Sequence, residues 1–509
     1  MKRILALALC LLLLLAGCTV SEEPYTPTGD ALDDGSNSQT QNKPTDQTQN
    51  LTLVYFPNES LHPYKATDST NRALLPLMYQ GLFSTNREYQ VVPILCDSYT
   101  MSKDMKTYTV TLAQARFSDG TALTATDVVA SLEAAKASSY YAGRFQQIAS
   151  ITAEGNTVVF QLNSPNSNLP LLLDIPIIKA TETESDLPLG TGPYVLEDAL
   201  NGKRLRRQAA WWCAKEADLI VTAPYIPLVQ GESPSQIRDQ FEFADVGLVC
   251  ADPGSDHYAD YRCDYEIWDC ENGLFLYLVT SSKSTVFSND EVRGALTHAI
   301  DRDTLVEEYY RGFARSATLP ASPLSPYYNE TLASRYTYNA DKFKEALENA
   351  QLQGASITML LNSDDSLRLR VGRRIAQMLR DCGLNVTVSE MNSNNFIEHV
   401  KWGTYDLYLA QTKLSPNMDL SPFFRRYGSL SYGGLSNNTA AYALSLKALE
   451  NSGNFYNLHE LIMEDGQLCP ILVRSYAVYA TRGLLTNLTP ARDNLFFYTL
   501  GQTISDAEN

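Results

Sequence analysis

The side chains that could hold a metal or run covalent chemistry are present, but their spacing suits neither. His62, His257, His298, His399 and His459 are scattered along 509 residues, and no C-x-x-C occurs. A structural zinc site needs its ligands clustered at short spacing. His459-Glu460-Leu461-Ile462-Met463 begins like a zinc-protease helix and then lacks the second histidine. No G-x-S-x-G supplies a nucleophile elbow. Fifty-eight acidic residues always offer a carboxylate pair, yet general acid–base work needs a geometry that spacing alone does not give. Gly190 and Gly192 miss the G-x-G-x-x-G pattern of a phosphate cradle. No metal, cofactor or catalytic residue is called for, and a hydrolase stays only as an alternative.

The elements that would position such groups are easier to read. Tyr108, Val110 and Leu112 alternate with Thr107, Thr109 and Thr111, the period of a half-buried strand. A Ser118-Asp119-Gly120 turn follows. Thr124 then stands three residues before Asp127, the spacing of a capping box, ahead of an apolar helix face at Val128, Leu132 and Ala135. Leu51 to Phe56 is a further strand, closed by Pro57-Asn58, and Val158, Phe160 and Leu162 mark another. Residues 83 to about 180 therefore read as a small α+β unit. Gly190-Thr191-Gly192-Pro193-Tyr194 is a turn into a strand. The Trp211-Trp212 pair beyond it either packs at a core edge or stacks on a ligand.

A second regime begins near Gly273. Leu274 to Val279 is an apolar strand, and Ser288 with Glu291 has capping-box spacing before Val292, Ala295, Leu296, Ala299 and Ile300, one helix face. Asp301-Arg302 breaks that helix and opens the next. Strands at 357–362, 384–390 and 405–411 then alternate with helices at about 367–382 and 394–402. Such alternation implies βαβ units and a largely parallel sheet.

The ends and the composition narrow the class. Lys2 and Arg3 precede an apolar run from Ile4 to Ala16, too short for the ~20 residues that span a bilayer. It ends in Leu15-Ala16-Gly17-Cys18, as an export signal does. The motif looks like a bacterial lipobox, which implies cleavage before Cys18 and a lipid on its sulfur. Residues 19–50 carry few apolar side chains and are expected to form a disordered tether. Formal net charge is −18, two units more negative once Lys2 and Arg3 leave with the signal. Such a surface repels phosphate backbones and argues against nucleic acid. Of nine cysteines, Cys10 and Cys18 belong to the signal and anchor. The remaining odd number leaves at least one thiol free, and Cys250, Cys263 and Cys270 are close enough in sequence for one disulfide.

Three stretches, 107–133, 190–212 and 290–312, resemble in wording and order the family 5 extracellular solute-binding proteins, the oligopeptide-, dipeptide- and nickel-binding subunits of ABC importers. The resemblance implies an α/β fold, a two-lobed periplasmic-binding-protein clamshell of type II with an extra α+β subdomain inserted in lobe I. On that plan residues 1–17 are the signal and 18–50 the lipidated cysteine and tether. Residues 51–82, 83–185 and 186–272 build lobe I with its insert, 273–475 form lobe II, and 476–509 return to lobe I. The implied function is a lipid-anchored monomer on the extracytoplasmic face of the cell membrane. It captures short peptides and hands them to ABC permease subunits. A non-peptide solute, an oligosaccharide or a chelated metal, stays open.

A buried peptide ammonium needs a carboxylate partner. In peptide-binding relatives an aspartate in a lobe II loop supplies it, which points here to Asp419 in Lys413–Asp419, with Asn417 beside it. Asp419 could equally cap the helix starting near Ser421. Asn58, Glu59 and Ser60 would form the opposite wall. Relatives often carry Asp-Pro where this chain has Asp419-Leu420, and an Asn where it runs into Thr280-Ser281-Ser282, which bears on specificity.

Overall fold

Two long strands, Tyr265–Thr280 and Leu468–Thr481, organise the computed structural model, which describes residues 51–200, 202–213, 223–255, 260–485 and 488–497. The signal, Cys18, the tether and His257 lie outside those residues. The two strands pair antiparallel along most of their length, and their side chains feed different cores in turn. Cys270 of one and Val478 and Ala480 of the other pack in a first apolar core. Further along, Leu276 and Leu278 face one side of the sheet while Phe275, Tyr277 and Val279 face the other, the alternation a pleated strand imposes. The register shifts between Glu271 and Phe275, and Gly273 sits there at φ +70°. A β-carbon on Gly273 would lie 2.6 Å from Arg492 Cζ, so the backbone bends where only glycine fits.

The first lobe gathers around that first core. The short strand Leu53–Tyr55 pairs parallel with Tyr225–Gln230 in a four-stranded sheet. A separate four-stranded antiparallel sheet contains Thr107–Leu112 and Thr157–Leu162, with the helix Ala125–Ala135 on its face. Thr124 and Asp127 make the full reciprocal capping box at that helix. Gly190 and Gly192 of the GTGPY turn lie against the Met78 backbone, where any side chain would collide. Trp211 and Trp212 both donate their indole N–H to Thr191 O, at 2.8 and 3.1 Å. The pair packs at a core edge.

The second lobe holds the expected alternation. Ser356–Asn362, Asn385–Met391 and Leu407–Lys413 are separated by the helices Ser366–Asp381 and Ser393–Trp402. The sheet is mixed, however, and not largely parallel. Ser356–Asn362 has parallel partners on both sides, whereas Leu407–Lys413 joins Tyr265–Thr280 antiparallel. The two through-running strands bring in the antiparallel pairing, one running from the first lobe into the second and the other returning beside it.

Three smaller expectations are corrected or sharpened. Asn289, not Ser288, caps Asp290–Ala295, its side chain accepting from Val292 N at 3.0 Å. Asp301 caps Arg302–Tyr310. Arg302 is buried and donates to the carbonyls of Thr297, Ala317 and Pro470, a structural use. Cys250, Cys263 and Cys270 are free thiols. Cys250 opposes Val478 and Cys270 opposes Tyr476 on the same intervening strand. The two sulfurs' strands are therefore about 9–10 Å apart, beyond disulfide reach.

Candidate functional site

The helix Ser69–Met78 starts at Asp68, whose carboxylate accepts from Thr70 N and Asn71 N. That start places Arg72 in the first turn, where its guanidinium lies 3.3 Å from the centre of the Tyr140 ring. Arg144 follows Tyr140 and Tyr141 on a short 3-10 turn and is ion-paired with Asp174. From the second lobe comes Lys413, the last residue of its strand, donating to Tyr140 OH at 2.6 Å and Asp493 Oδ1 at 2.6 Å. The Arg492-Asp493 pair is held by neighbours anchored in the first core, Leu488, Leu495 and Phe496. Arg492 donates across the divide to Leu414 O. Asp493, at φ +60°, also faces Arg144 NH2 at 4.0 Å and Arg492 Nε at 3.5 Å.

Three cavities surround this cluster, and Tyr140 lines all of them. One of about 220 Å³ runs along the 412–416 segment to Asp419 and Phe423. Another of about 160 Å³ opens toward Cys250, Cys270 and Glu271. The third, about 100 Å³, lies between Arg72, Tyr141 and Asp174. The charged groups are the partition between them.

Electrostatics in the cluster is dominated by burial and by its cations. Burial opposes ionisation of Asp493, yet Lys413 and Arg492 overcome it and hold that carboxyl well below the usual range. Lys413 keeps about a third of its side chain in solvent (32 %). Desolvation of its ammonium and the charges of Arg492 and Arg144 pull its pKa down to about 8, against the pull of Asp493. Glu271 sits one step away, accepting from Tyr89 OH and from Ser322 Oγ at 2.8 Å, and burial pushes its carboxyl up. Beside it Asp269 pairs with Arg87 and Arg315, each at 2.5 Å.

Asp419 ties the helix start, one of the two roles its sequence position allowed, and it also borders a cavity at the seam. Its Oδ1 accepts from Ser421 N at 2.8 Å, tying the start of the Ser421–Phe424 turn, and it lines the 220 Å³ cavity. Its Oδ2 accepts from Gln147 Nε2 of the first lobe at 3.2 Å. Burial raises its pKa against those hydrogen bonds. Asn417 is buried; its Oδ1 accepts from Ser415 Oγ at 2.6 Å, and its Nδ2 has no partner among the described residues. Asn58 and Glu59 are exposed and Ser60 half-buried. Asn71 Nδ2 pins their loop through the Phe56 and Glu59 carbonyls. None of the three lines the cavities around Asp419.

Sequence reasoning missed Arg72, Tyr140, Arg144, Arg492 and Asp493. The Tyr140-Tyr141 pair three residues before Arg144 was the available local signal. Arg492-Asp493 gave none, because its partners are tens to hundreds of residues away. Among the described residues no group of three or more His, Cys, Asp or Glu could hold a metal ion, and no helix is long and apolar enough to cross a membrane.

Residues 90–433 match the family model of bacterial extracellular solute-binding proteins, family 5 middle region. The glutathione-binding protein GsiB of Shigella flexneri is 27% identical over 360 residues, covering 66% of this chain and 68% of GsiB. Among solved structures, the ABC transporter substrate-binding protein CtaP of Listeria monocytogenes aligns with a TM-score of 0.71 at 17% identity, over 89% of this chain and 99% of CtaP. The oligopeptide-binding protein AppA of Bacillus subtilis, solved with a nonapeptide, aligns with a TM-score of 0.60 at 18% identity, over 90% and 100%. The mixed α/β architecture is thus the two-lobed periplasmic-binding-protein fold, and the chain belongs to the family 5 bacterial extracellular solute-binding proteins, the binding components of ABC importers.

Proposed function

We propose that this protein captures short peptides between its lobes and presents them to ABC permease subunits as a monomer, tethered through a lipid on Cys18. The observation that carries the reading is the seam itself. Tyr140 and Arg144 from one lobe meet Lys413 and the loop to Asp419 from the other, around adjoining cavities. Interfaces of this kind are where ligand pockets form, and hinge closure on Gly273 would trap the solute. Each cavity is smaller than the ~300–1,000 Å³ of an ordinary ligand pocket. A peptide would therefore part the lobes and replace the Lys413–Asp493 contact that now divides the space. Its carboxylate would lie against Arg144, Lys413 and Arg492, and its ammonium against Asp419, with Asn417 beside it. Asn58, Glu59 and Ser60 remain a proposed rim.

The relatives support the choice of peptide, since GsiB is named for glutathione and AppA was solved with a nonapeptide. A chelated metal or an oligosaccharide remains the alternative reading; an uncharged oligosaccharide gains little from a cluster rich in guanidinium groups, whereas a carboxylate-bearing chelate would pair with it. The test is calorimetric titration with a peptide library, followed by mass spectrometry of the mixture. Asp419→Asn is expected to weaken peptide binding about tenfold or more, the scale of one charge-assisted contact. Equal affinities for mutant and parent would remove Asp419 from the site, and recovery of peptide fragments would replace the importer reading with a hydrolase.

A further inference from the structure

The cluster at the seam is not electrically balanced. Arg72, Arg144, Lys413 and Arg492 converge on Tyr140 and Asp493, and two carboxylates answer them, Asp174 and Asp493. The adjacent group does not make up the difference. There Arg87 and Arg315 share Asp269, and Glu271 accepts from Tyr89 and Ser322 while its charge acts on Arg492 and Arg315, so across the two groups six cations face four carboxylates. Asp419 faces Gln147, Ser421 and the charge of Arg425, on the far side of the 220 Å³ cavity. Arg144 and Arg492 are both buried, and Arg492 NH1 has no hydrogen-bond partner among the described residues. Buried charge without a counter-charge is costly, so a closed seam gains most from a guest that supplies the missing negative charge.

We infer that the solute this cleft selects carries two carboxylates: a short peptide with an acidic side chain besides its C-terminus, its ammonium answered by Asp419. A neutral dipeptide brings one carboxylate and leaves one cation of the cluster unanswered. A basic peptide adds a charge of the same sign. The cavity of about 160 Å³, lined by Arg72, Tyr140 and Lys413 and not by Asp419, gives a second carboxylate room. Asp493 would then be a built-in stand-in, its carboxylate occupying between the lobes the seat that a guest carboxylate shares on binding. This rests on the reading of the seam as the ligand seat.

The test is calorimetric titration of the purified chain with alanyl-glutamate, alanyl-alanine, alanyl-lysine and glutarate. Alanyl-glutamate is expected to bind about tenfold tighter than alanyl-alanine, with alanyl-lysine weakest. Raising salt should narrow the gap only modestly, because buried pairs are screened little. Lys413→Gln should cut the preference for alanyl-glutamate severalfold; where that variant does not fold, the parent panel alone decides. Equal or reversed affinities for alanyl-glutamate and alanyl-alanine would overturn the inference and leave the peptide reading standing. Binding of glutarate without any of the peptides would keep the two-carboxylate requirement and overturn the peptide reading. No binding by any of the four would overturn both.

Discussion

Two half-buried aspartates face the same seam, and their surroundings differ in kind. Asp419 hangs from the second lobe among neutral donors, Ser421 N and Gln147 Nε2, so burial wins and its pKa rises. Asp493, on the segment packed into the first lobe, lies among Lys413, Arg492 and Arg144, and the cations win. The carboxylates are chemically alike. What separates them is whether the partners carry full charges or only dipoles. It follows that Asp493 bears on the stability of the closed seam, while Asp419 is the carboxylate to which the proposed ligand role falls.

The sharpest way to break that comparison is Asp493→Asn. Removing one member of a buried ionic group strands the others, which costs about 3–5 kcal/mol. Denaturant unfolding should show that loss, and scattering should show the lobes further apart. A loss no larger than that of a surface substitution would mean the cations find solvent when Asp493 leaves. The acid limb should agree. With its folded pKa held below the usual 3.8, Asp493 contributes fully above 3.8 and loses that contribution as pH falls from there through its lower folded value.

Gly273→Ala comes next. Its φ of +70° and the 2.6 Å approach to Arg492 Cζ predict a loss of about 1–3 kcal/mol, since backbone and guanidinium must both shift. If the change weakens peptide binding beyond its effect on unfolding, Gly273 is a hinge. Equal effects on both would make it a tight spot in the strand and nothing more.

How much of this was written in the sequence depends on distance along the chain. The Thr124–Asp127 box and the alternation of Thr107–Leu112 were legible because the deciding partners lie within a few residues. So was Ser366–Asp381, whose apolar face repeats at helical spacing and stops at Gly383. The mixed sheet was not, because the antiparallel pairing of Tyr265–Thr280 with Leu407–Lys413 joins segments more than a hundred residues apart. Asp419 was singled out through the resemblance of its loop to that of peptide-binding relatives. Asp493 was not, because nothing local distinguishes Arg492-Asp493 from any exposed pair. Its meaning comes from Lys413, eighty residues upstream.

Lys413 gives a milder test through pH. Its folded pKa is about 8, below the usual 10.5, so the unfolded chain binds the extra proton between those values and stability rises with pH across that window. Ligand affinity should move the other way. A bound carboxylate favours the charged ammonium and raises its pKa, so affinity holds below about 8 and falls as pH rises beyond it. Calorimetry across that range checks the sign, and Lys413→Gln should flatten the fall. A flat profile in the parent would place the ligand's charge away from Lys413.

The smallest expected effect is the stability of Asp419→Asn, and it carries the comparison furthest. An amide keeps an oxygen to accept from Ser421 N, and it removes a carboxylate that burial already disfavours in its charged form. A group whose folded pKa is raised stabilises fully below its usual 3.8 and loses that contribution as pH rises through the folded value. At neutral pH the substitution therefore discards little, and unfolding should change by under about 1 kcal/mol, the scale of one neutral hydrogen bond. Denaturant titration of Asp419→Asn beside Asp493→Asn decides it. A loss matching that of Asp493→Asn would show Asp419 bearing on the closed seam as Asp493 does. A small loss joined to tenfold weaker peptide binding would show the two carboxylates dividing the work as their partners predict.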